Sequence, residues 1–382
     1  MSEIKVNSIK GVGASTAAIT VNNSDGTCTA NITNNLSNRR LTINGAMTIA
    51  QRGDVSSVTS GYGGADRFKF DSSGAAVVTL KQDTGDITQG FAKAQRIDVT
   101  TADSSLAASD YALLSYRFEG QDLQQLKKGT DNAQQVTLSF HIKSPKTGTH
   151  IVELVDQSNS GRHVNKAYTV NVADTWEKKT VTFPMETSNA ITNDNARRMD
   201  LNWWLAAGST YSSGTLQTNW GSDTDANRAV GQVNCMDSTS NDIYITGVQL
   251  EVSDHATSFE FLNFADELRR CQRYFQLHNN IMTAGYVPDN NARVYSLGFN
   301  FPIQMRSAPS LSITQTGSTS HQAVVDGSAG ANITSILSSN FSKFCAEYSV
   351  NLDADLTNFR PAITEGAGSS TRGTDYKFSA EL

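Results

Sequence analysis

The sequence predicts an all-β protein: a short N-terminal β anchor, a central jelly-roll β-sandwich, a connecting helix and a small C-terminal β-sandwich. Three observations carry this. Apolar and polar residues alternate at period two along much of the 382-residue chain. Only 38% of residues are hydrophobic and 18% charged, so Ser, Thr, Asn and Gln fill the balance, as extended structure with long polar loops requires. A single strong helical segment, DELRRCQRYFQL at 266–277, interrupts the pattern. At about 100–200 residues per domain, the chain has room for two or three domains.

Residues 1–37 read as short strands (4–9, 17–21 and 28–32) separated by Gly and by Asn-Ser-Asp-Gly. So few large side chains cannot offset a backbone entropy of about 1–2 kcal/mol per residue, so this leader needs a partner. From 38 to 262 the period is two. In VTLSFHIK, Val136, Leu138, Phe140 and Ile142 alternate with Thr137, Ser139, His141 and Lys143. Tyr168, Val170 and Val172 repeat the pattern, as do Val181 and Phe183, and Ile243 and Ile245 before the Gly247 break. Half-buried antiparallel strands joined by long loops favour a jelly-roll sandwich. GQDLQQLKKG (120–129) reads as one or two helical turns with Leu123 and Leu126 facing inward.

The connecting helix is expected over 263–277, with Asn263 and Asp266 as an N-cap pair. Phe261, Phe264, Leu268, Cys271 and Phe275 recur at spacings of 3, 4, 3 and 4, an a/d seam. A helix of about 12 residues is marginal alone in water, so the seam packs either on the upstream sandwich or in a bundle of identical helices. Residues 278–382 resume strand patterns, five or six in number, with Pro302 and Pro309 marking strand ends.

Several function classes are excluded. The net charge of −6 and the lack of a dense basic run argue against nucleic acid. MSEIKVNSIK has no apolar core of an export signal, and no window approaches the roughly 20 apolar residues of a membrane span. Cys28, Cys235, Cys271 and Cys345 form no CxxC pair, which points to reduced thiols and neither metal nor cofactor. HExxH, GxSxG and phosphate-loop motifs are absent, so no catalytic residue is expected. His141 and His150 are close enough to share a hairpin, where they read as polar-face residues rather than a metal pair.

The aromatics are more informative. In LNWWLAAGSTYSSG, Leu201, Trp203 and Leu205 share one strand face and Trp204 takes the other, with Tyr211 and Trp220 following. Trp204 is then either a core or loop anchor or, with Tyr211 and Trp220, a platform on which sugar rings stack.

The runs SYRFEGQDLQQL, VTLSFHIKSPKTGTHIVELV, YTVNVADTWEKKTVTFP, NWWLAAGSTY, ITGVQLEVSDHATSFE and ELRRCQRYF occur in that order. Together with the opening LTINGAMTIAQRG (41–53), they resemble the carbohydrate-binding-module-like jelly roll of bacteriophage tail fibre and related virion proteins. The resemblance covers about residues 38–277 and departs at Ala50, where many relatives carry an aromatic. It implies a non-enzymatic homotrimer made in the host cytoplasm and carried on the virion tail. Residues 1–37 would dock to other virion proteins, and the 278–382 domain would form a tip meeting a host-surface glycan. Alternatives are a head decoration fibre, a tail adaptor or collar protein, and, with no repeat of 20–50 residues to support it, a polysaccharide depolymerase.

Overall fold

In this computed structural model the described residues are 6–12, 17–21, 24, 28–30, 38–279, 283–289, 292–296, 298–315, 321–325, 329–366 and 374–382. The leader forms a three-stranded antiparallel sheet of β1 (Ser8–Ile9), β2 (Ile19–Val21) and β3 (Cys28–Ala30). Ile9 on this sheet, and Val6 and Val12 flanking its first strand, are exposed.

Twelve strands build the central sandwich. They are β4 (Val55–Val58), β5 (Ser60–Tyr62), β6 (Phe68–Ser73), β7 (Val77–Thr84), β8 (Lys93–Thr101) and β9 (Tyr111–Glu119), followed by β10 (Val136–Lys143), β11 (Gly148–Asp156), β12 (Arg162–Val170), β13 (Glu177–Phe183), β14 (Arg197–Ala207) and β15 (Asp242–Val252). Two antiparallel six-stranded sheets result, ordered β13-β10-β15-β8-β7-β4 and β12-β11-β14-β9-β6-β5. Their facing sides bury Leu138, Phe140 and Ile142 from β10 against Leu114 and Tyr116 from β9 and Leu201 and Trp203 from β14. Residues 120–126 form a 3-10 helix with Leu123 and Leu126 buried.

β10 and β11 lie in different sheets, so the hairpin expected to join His141 and His150 is instead a crossover. His141 contacts Asp86 at 3.0 Å, while His150 is buried and stacks on Tyr168 at 5.5 Å. Burial holds His141, His150, His163 and His278 below the ordinary histidine value of 6.5. The unfolded chain therefore binds the extra protons, and the stability of these neutral sites, complete above pH 6.5, is lost as the pH falls below it. Urea midpoints are expected to decline from pH 7 to 5, with a shallower decline in His150→Gln. A flat profile would contradict this.

Among its described residues the C-terminal region holds ten strands, more than the five or six expected. They are β16 (Phe275–Asn279), β17 (Thr283–Tyr286), β18 (Arg293–Ser296), β19 (Phe299–Asn300), β20 (Ser310–Gln315), β21 (His321–Val325), β22 (Ala329–Phe341), β23 (Cys345–Leu352), β24 (Pro361–Gly366) and β25 (Thr374–Ser379). A three-stranded sheet, β16-β25-β20, accompanies a seven-stranded one, β18-β17-β24-β21-β22-β23-β19. β18 also pairs with β23, so the larger sheet closes on itself. Tyr348, Val350, Tyr376 and Phe378 centre a second core.

The helix, α2, is shorter than its sequence pattern: it runs Phe264–Gln272, and Asn263 caps it by accepting from the Asp266 N–H at 2.9 Å. Phe261 precedes it and Phe275 already belongs to β16, so the five-residue seam is not one helical face. Phe261 and Phe264 are 56% and 63% exposed, and Leu268 is half-buried. The buried helical side chains are Glu267 and Cys271. Glu267 pairs with buried Arg40 and accepts from the Asn44 N–H. Phe261 stacks on Phe91 at 5.4 Å, outside the predicted seam.

Candidate functional site

Outward-facing residues of the β12-β11-β14-β9-β6-β5 sheet form a cleft of about 280 Å³. The strand register fixes its floor in rows. Asp200 of β14 lies between Val155 of β11 and Arg117 of β9, and the next row aligns Glu153, Asn202, Ser115 and Lys69. A third row aligns Trp204, Leu113 and Asp71. Alternation along β14 is the cause: Met199, Leu201, Trp203 and Leu205 enter the main core, leaving Asp200, Asn202 and Trp204 for the opposite face.

The floor holds several fixed groups of bonded polar side chains. Glu153, wholly buried, accepts from Arg228 Nε at 2.7 Å and Nη2 at 2.9 Å, and from Asn202 Nδ2 at 2.9 Å. Ser115 Oγ donates to Asn202 Oδ1 at 2.7 Å. Arg197 grips Asp200, with Nε at 2.7 Å from Oδ1, and Gln157 Nε2 donates to Asp200 at 2.7 Å. Burial alone would lower the Arg197 value, but the bond to Asp200 raises it above the usual range. Lys69 meets Asp71 at 3.0 Å. Polar side chains so fixed lose little further rotamer freedom when they bind a ligand.

Aromatic rings close one end. Trp204 is 1% exposed, so it is no open platform; it belongs to a small cluster with Ile151 and Ala229. Tyr211 rests on it with centroids 5.4 Å apart, and Tyr111 meets Tyr211 edge-on at 5.7 Å. Arg228 covers Trp204 at 5.4 Å. Tyr111 and Tyr211 remain half-exposed and supply the accessible ring surface. Burial raises the pKa of both tyrosines, so their hydroxyls stay protonated donors at neutral pH. Tyr211 lies in α1 (Ser209–Ser212), entered through Gly208, where an added Cβ would sit 2.2 Å from the Ala107 carbonyl oxygen. Only glycine permits that approach.

Of the three aromatics singled out from sequence, Trp204 and Tyr211 come together in the cleft. Trp220 does not line it: its Nε1 donates to the Pro184 carbonyl at 2.9 Å and its ring packs on the main core. The sequence reading missed Tyr111, Glu153, Arg197, Asp200, Asn202 and Arg228. A signal was available in RRMDLNWWLAA, where the polar-phase positions of an apolar strand hold Asp200, Asn202 and Trp204 rather than the Ser, Thr and Lys of ordinary solvent faces. Among the described residues no group of three or more His, Cys, Asp or Glu is placed to hold a metal, and no helix is long and apolar enough to cross a membrane.

No family model matches the chain, and no curated protein matches it. Solved structures similar to it include the family 11 carbohydrate-binding module of the Clostridium thermocellum cellulase Lic26A-Cel5E. The identity is 13% and the TM-score 0.27, over 53% of this chain and 95% of that one. The enzymatically active domain of bacteriophage CBA120 tailspike protein 4 gives 14% and 0.29, over 52% of this chain and 22% of that one. The CBM22-1 and GH10 modules of Clostridium thermocellum xylanase 10B give 10% and 0.30, over 57% and 29%. Values of this size establish neither family nor ligand.

Proposed function

We propose that this chain is a non-enzymatic, homotrimeric bacteriophage tail fibre protein whose central sandwich binds a host-surface glycan in the cleft of β9, β11 and β14. It is made in the host cytoplasm, resides on the virion tail and joins other tail proteins through residues 1–37. The fibre assignment rests on the ordered motifs that resemble such proteins. The glycan assignment rests on one observation: fixed Asn, Asp and Arg groups stand beside two half-exposed tyrosine rings in a preformed cleft. Sugars present hydroxyls and apolar C–H faces, and this pairing of polar groups with aromatic surface serves both. Sites of this kind bind weakly, with about 4 kcal/mol corresponding to a millimolar Kd. Three copies per fibre would multiply the effective affinity by roughly 10² to 10⁴.

Calorimetric titration of host surface polysaccharide into the purified protein tests this. Tyr211→Ala is expected to weaken binding roughly tenfold, the equivalent of about 1.4 kcal/mol, while Trp176→Ala, outside the cleft, leaves it unchanged. An assembled protein that binds no host polysaccharide would overturn the glycan reading. Release of reducing sugar would overturn the non-enzymatic one, and a monomer by sedimentation the trimeric one.

A further inference from the structure

The structure buries an amine against a carboxyl group outside the cleft. Lys128 is 8% exposed, and its Nζ lies 2.5 Å from Asp156 Oδ2, 2.7 Å from Glu186 Oε2 and 2.8 Å from the Asn189 carbonyl oxygen. Asp156 is wholly buried, and the Trp220 ring covers Nζ at 4.8 Å. Three ionisable groups withdrawn from water at such distances are expensive to keep charged. Condensation of two of them would remove that expense.

We infer that Lys128 and Asp156 join through an isopeptide bond, with Glu186 relaying the proton. The Nζ lone pair, freed when a proton moves to a carboxylate, adds to Asp156 Cγ. The Ser158 N–H donates to Asp156 Oδ1 at 2.8 Å and so steadies the charge that gathers there. Asn159 Nδ2 donates to Oδ2 at 2.8 Å. Glu186 Oε2, which meets Nζ as an ion-pair contact at 2.7 Å and accepts no hydrogen bond, takes a proton from Nζ and delivers it to the departing oxygen. One C–N bond forms and one C–O bond breaks. Of the three ammonium protons one stays on the amide and two leave with the oxygen as water, with no change of oxidation state. Arg162 and Glu186 remain as a balanced ion pair, with Arg162 Nε 3.1 Å from Glu186 Oε1.

Enforced proximity supplies much of what such a reaction needs, because two groups held in contact react as if at very high concentration. The bond would close a loop between positions 28 residues apart, linking the end of β11 to the segment after the 3-10 helix. Because the condensation changes no oxidation state, this cross-link needs no oxidising compartment and is compatible with the free thiols of Cys235, Cys271 and Cys345 among the described residues.

Intact mass spectrometry of the full chain, denatured after purification, decides the matter. The expected mass is that of the sequence less one water, and peptide mapping should yield a branched peptide joining positions 128 and 156. The map is essential because a succinimide elsewhere loses the same mass. Lys128→Arg, which keeps the charge, and Glu186→Gln should both show the full sequence mass. A folded wild-type protein at full mass, or a missing water mapped to another site, would overturn the inference even if the variants fail to fold.

Discussion

Replacing Glu381 with alanine is expected to lower stability by about 3–5 kcal/mol, because it strands buried Arg67 and leaves Arg52 only Asp66, at 3.8 Å, as an acidic partner. Arg67 is 1% exposed; its guanidinium lies over the Tyr274 ring at 3.4 Å and pairs with Glu381. Arg52 lies over Phe275 at 3.6 Å and meets the same carboxylate at 3.2 Å. Arg306 adds bonds to the Ala380 carbonyl at 2.7 Å and the Asn195 carbonyl at 2.9 Å, so central and C-terminal regions are stitched together here. Burial first, and the Glu381 charge second, push the neighbouring Tyr62 hydroxyl up to about 12. Equilibrium urea denaturation measures the loss, and limited proteolysis should find the region after residue 275 newly cleavable. Because much of the penalty is the unpaired charge, Arg67→Met combined with Glu381→Leu should recover a large part of it. A Glu381→Ala loss below about 1 kcal/mol would show that the pair is solvated and does not lock the joint.

The second large effect is expected at Glu267. Alanine there removes the partner of buried Arg40 and the acceptor of the Asn44 N–H, again about 3–5 kcal/mol. Asn44 sits at φ +58, and its amide bonds to Ile49 at 2.9 Å and 2.8 Å and to the Asp66 carbonyl at 3.0 Å. Losing Glu267 therefore loosens a turn far from it in sequence. A cycle with Arg40→Met should give a coupling well above 1 kcal/mol, and additive single losses would refute the pair. Leu268, which the sequence pattern placed at the centre of a seam, is only half-buried, and its replacement should matter less.

The sandwich was legible because its strands alternate in residue type: Leu138, Phe140 and Ile142 enter the main core as period two requires, although the polar face of β10, with Thr137, Ser139 and His141, is buried as well rather than solvated. The end of the helix was less legible, because apolar spacing alone cannot distinguish Phe275 as a fifth seam residue from Phe275 as the first residue of a strand. The spacing also ignored Glu267, which is buried only because Arg40 waits for it 227 positions upstream. Charge pairing across such separations leaves no local trace. The cleft was half legible for a similar reason. Trp204 and Tyr211 are close in sequence, whereas Glu153, Arg228 and Tyr111 reach the same place only through strand order. The motif LTINGAMTIAQRG gained a physical meaning. Gly45 lies where a Cβ would be 2.0 Å from the Val248 carbonyl oxygen, Asn44 meets Glu267, and Gln51 Nε2 reaches the Phe275 carbonyl at 2.9 Å. It is the receiving half of the joint whose other half is ELRRCQRYF.

Arg67 and Glu381 are separated by 314 positions, which sets an order in time. A ribosome adding about 5–20 residues per second completes the central sandwich and then takes on the order of ten seconds to reach Glu381. Throughout that interval Arg52 and Arg67 lack their shared carboxylate and keep as polar partners only Asp66, at 3.8 Å from Arg52, and the Arg117 carbonyl, at 2.8 Å from Arg67. Chains stalled or cleaved before residue 381 would lack the carboxylate that Arg52 and Arg67 share, so this joint is completed only after synthesis has passed that position.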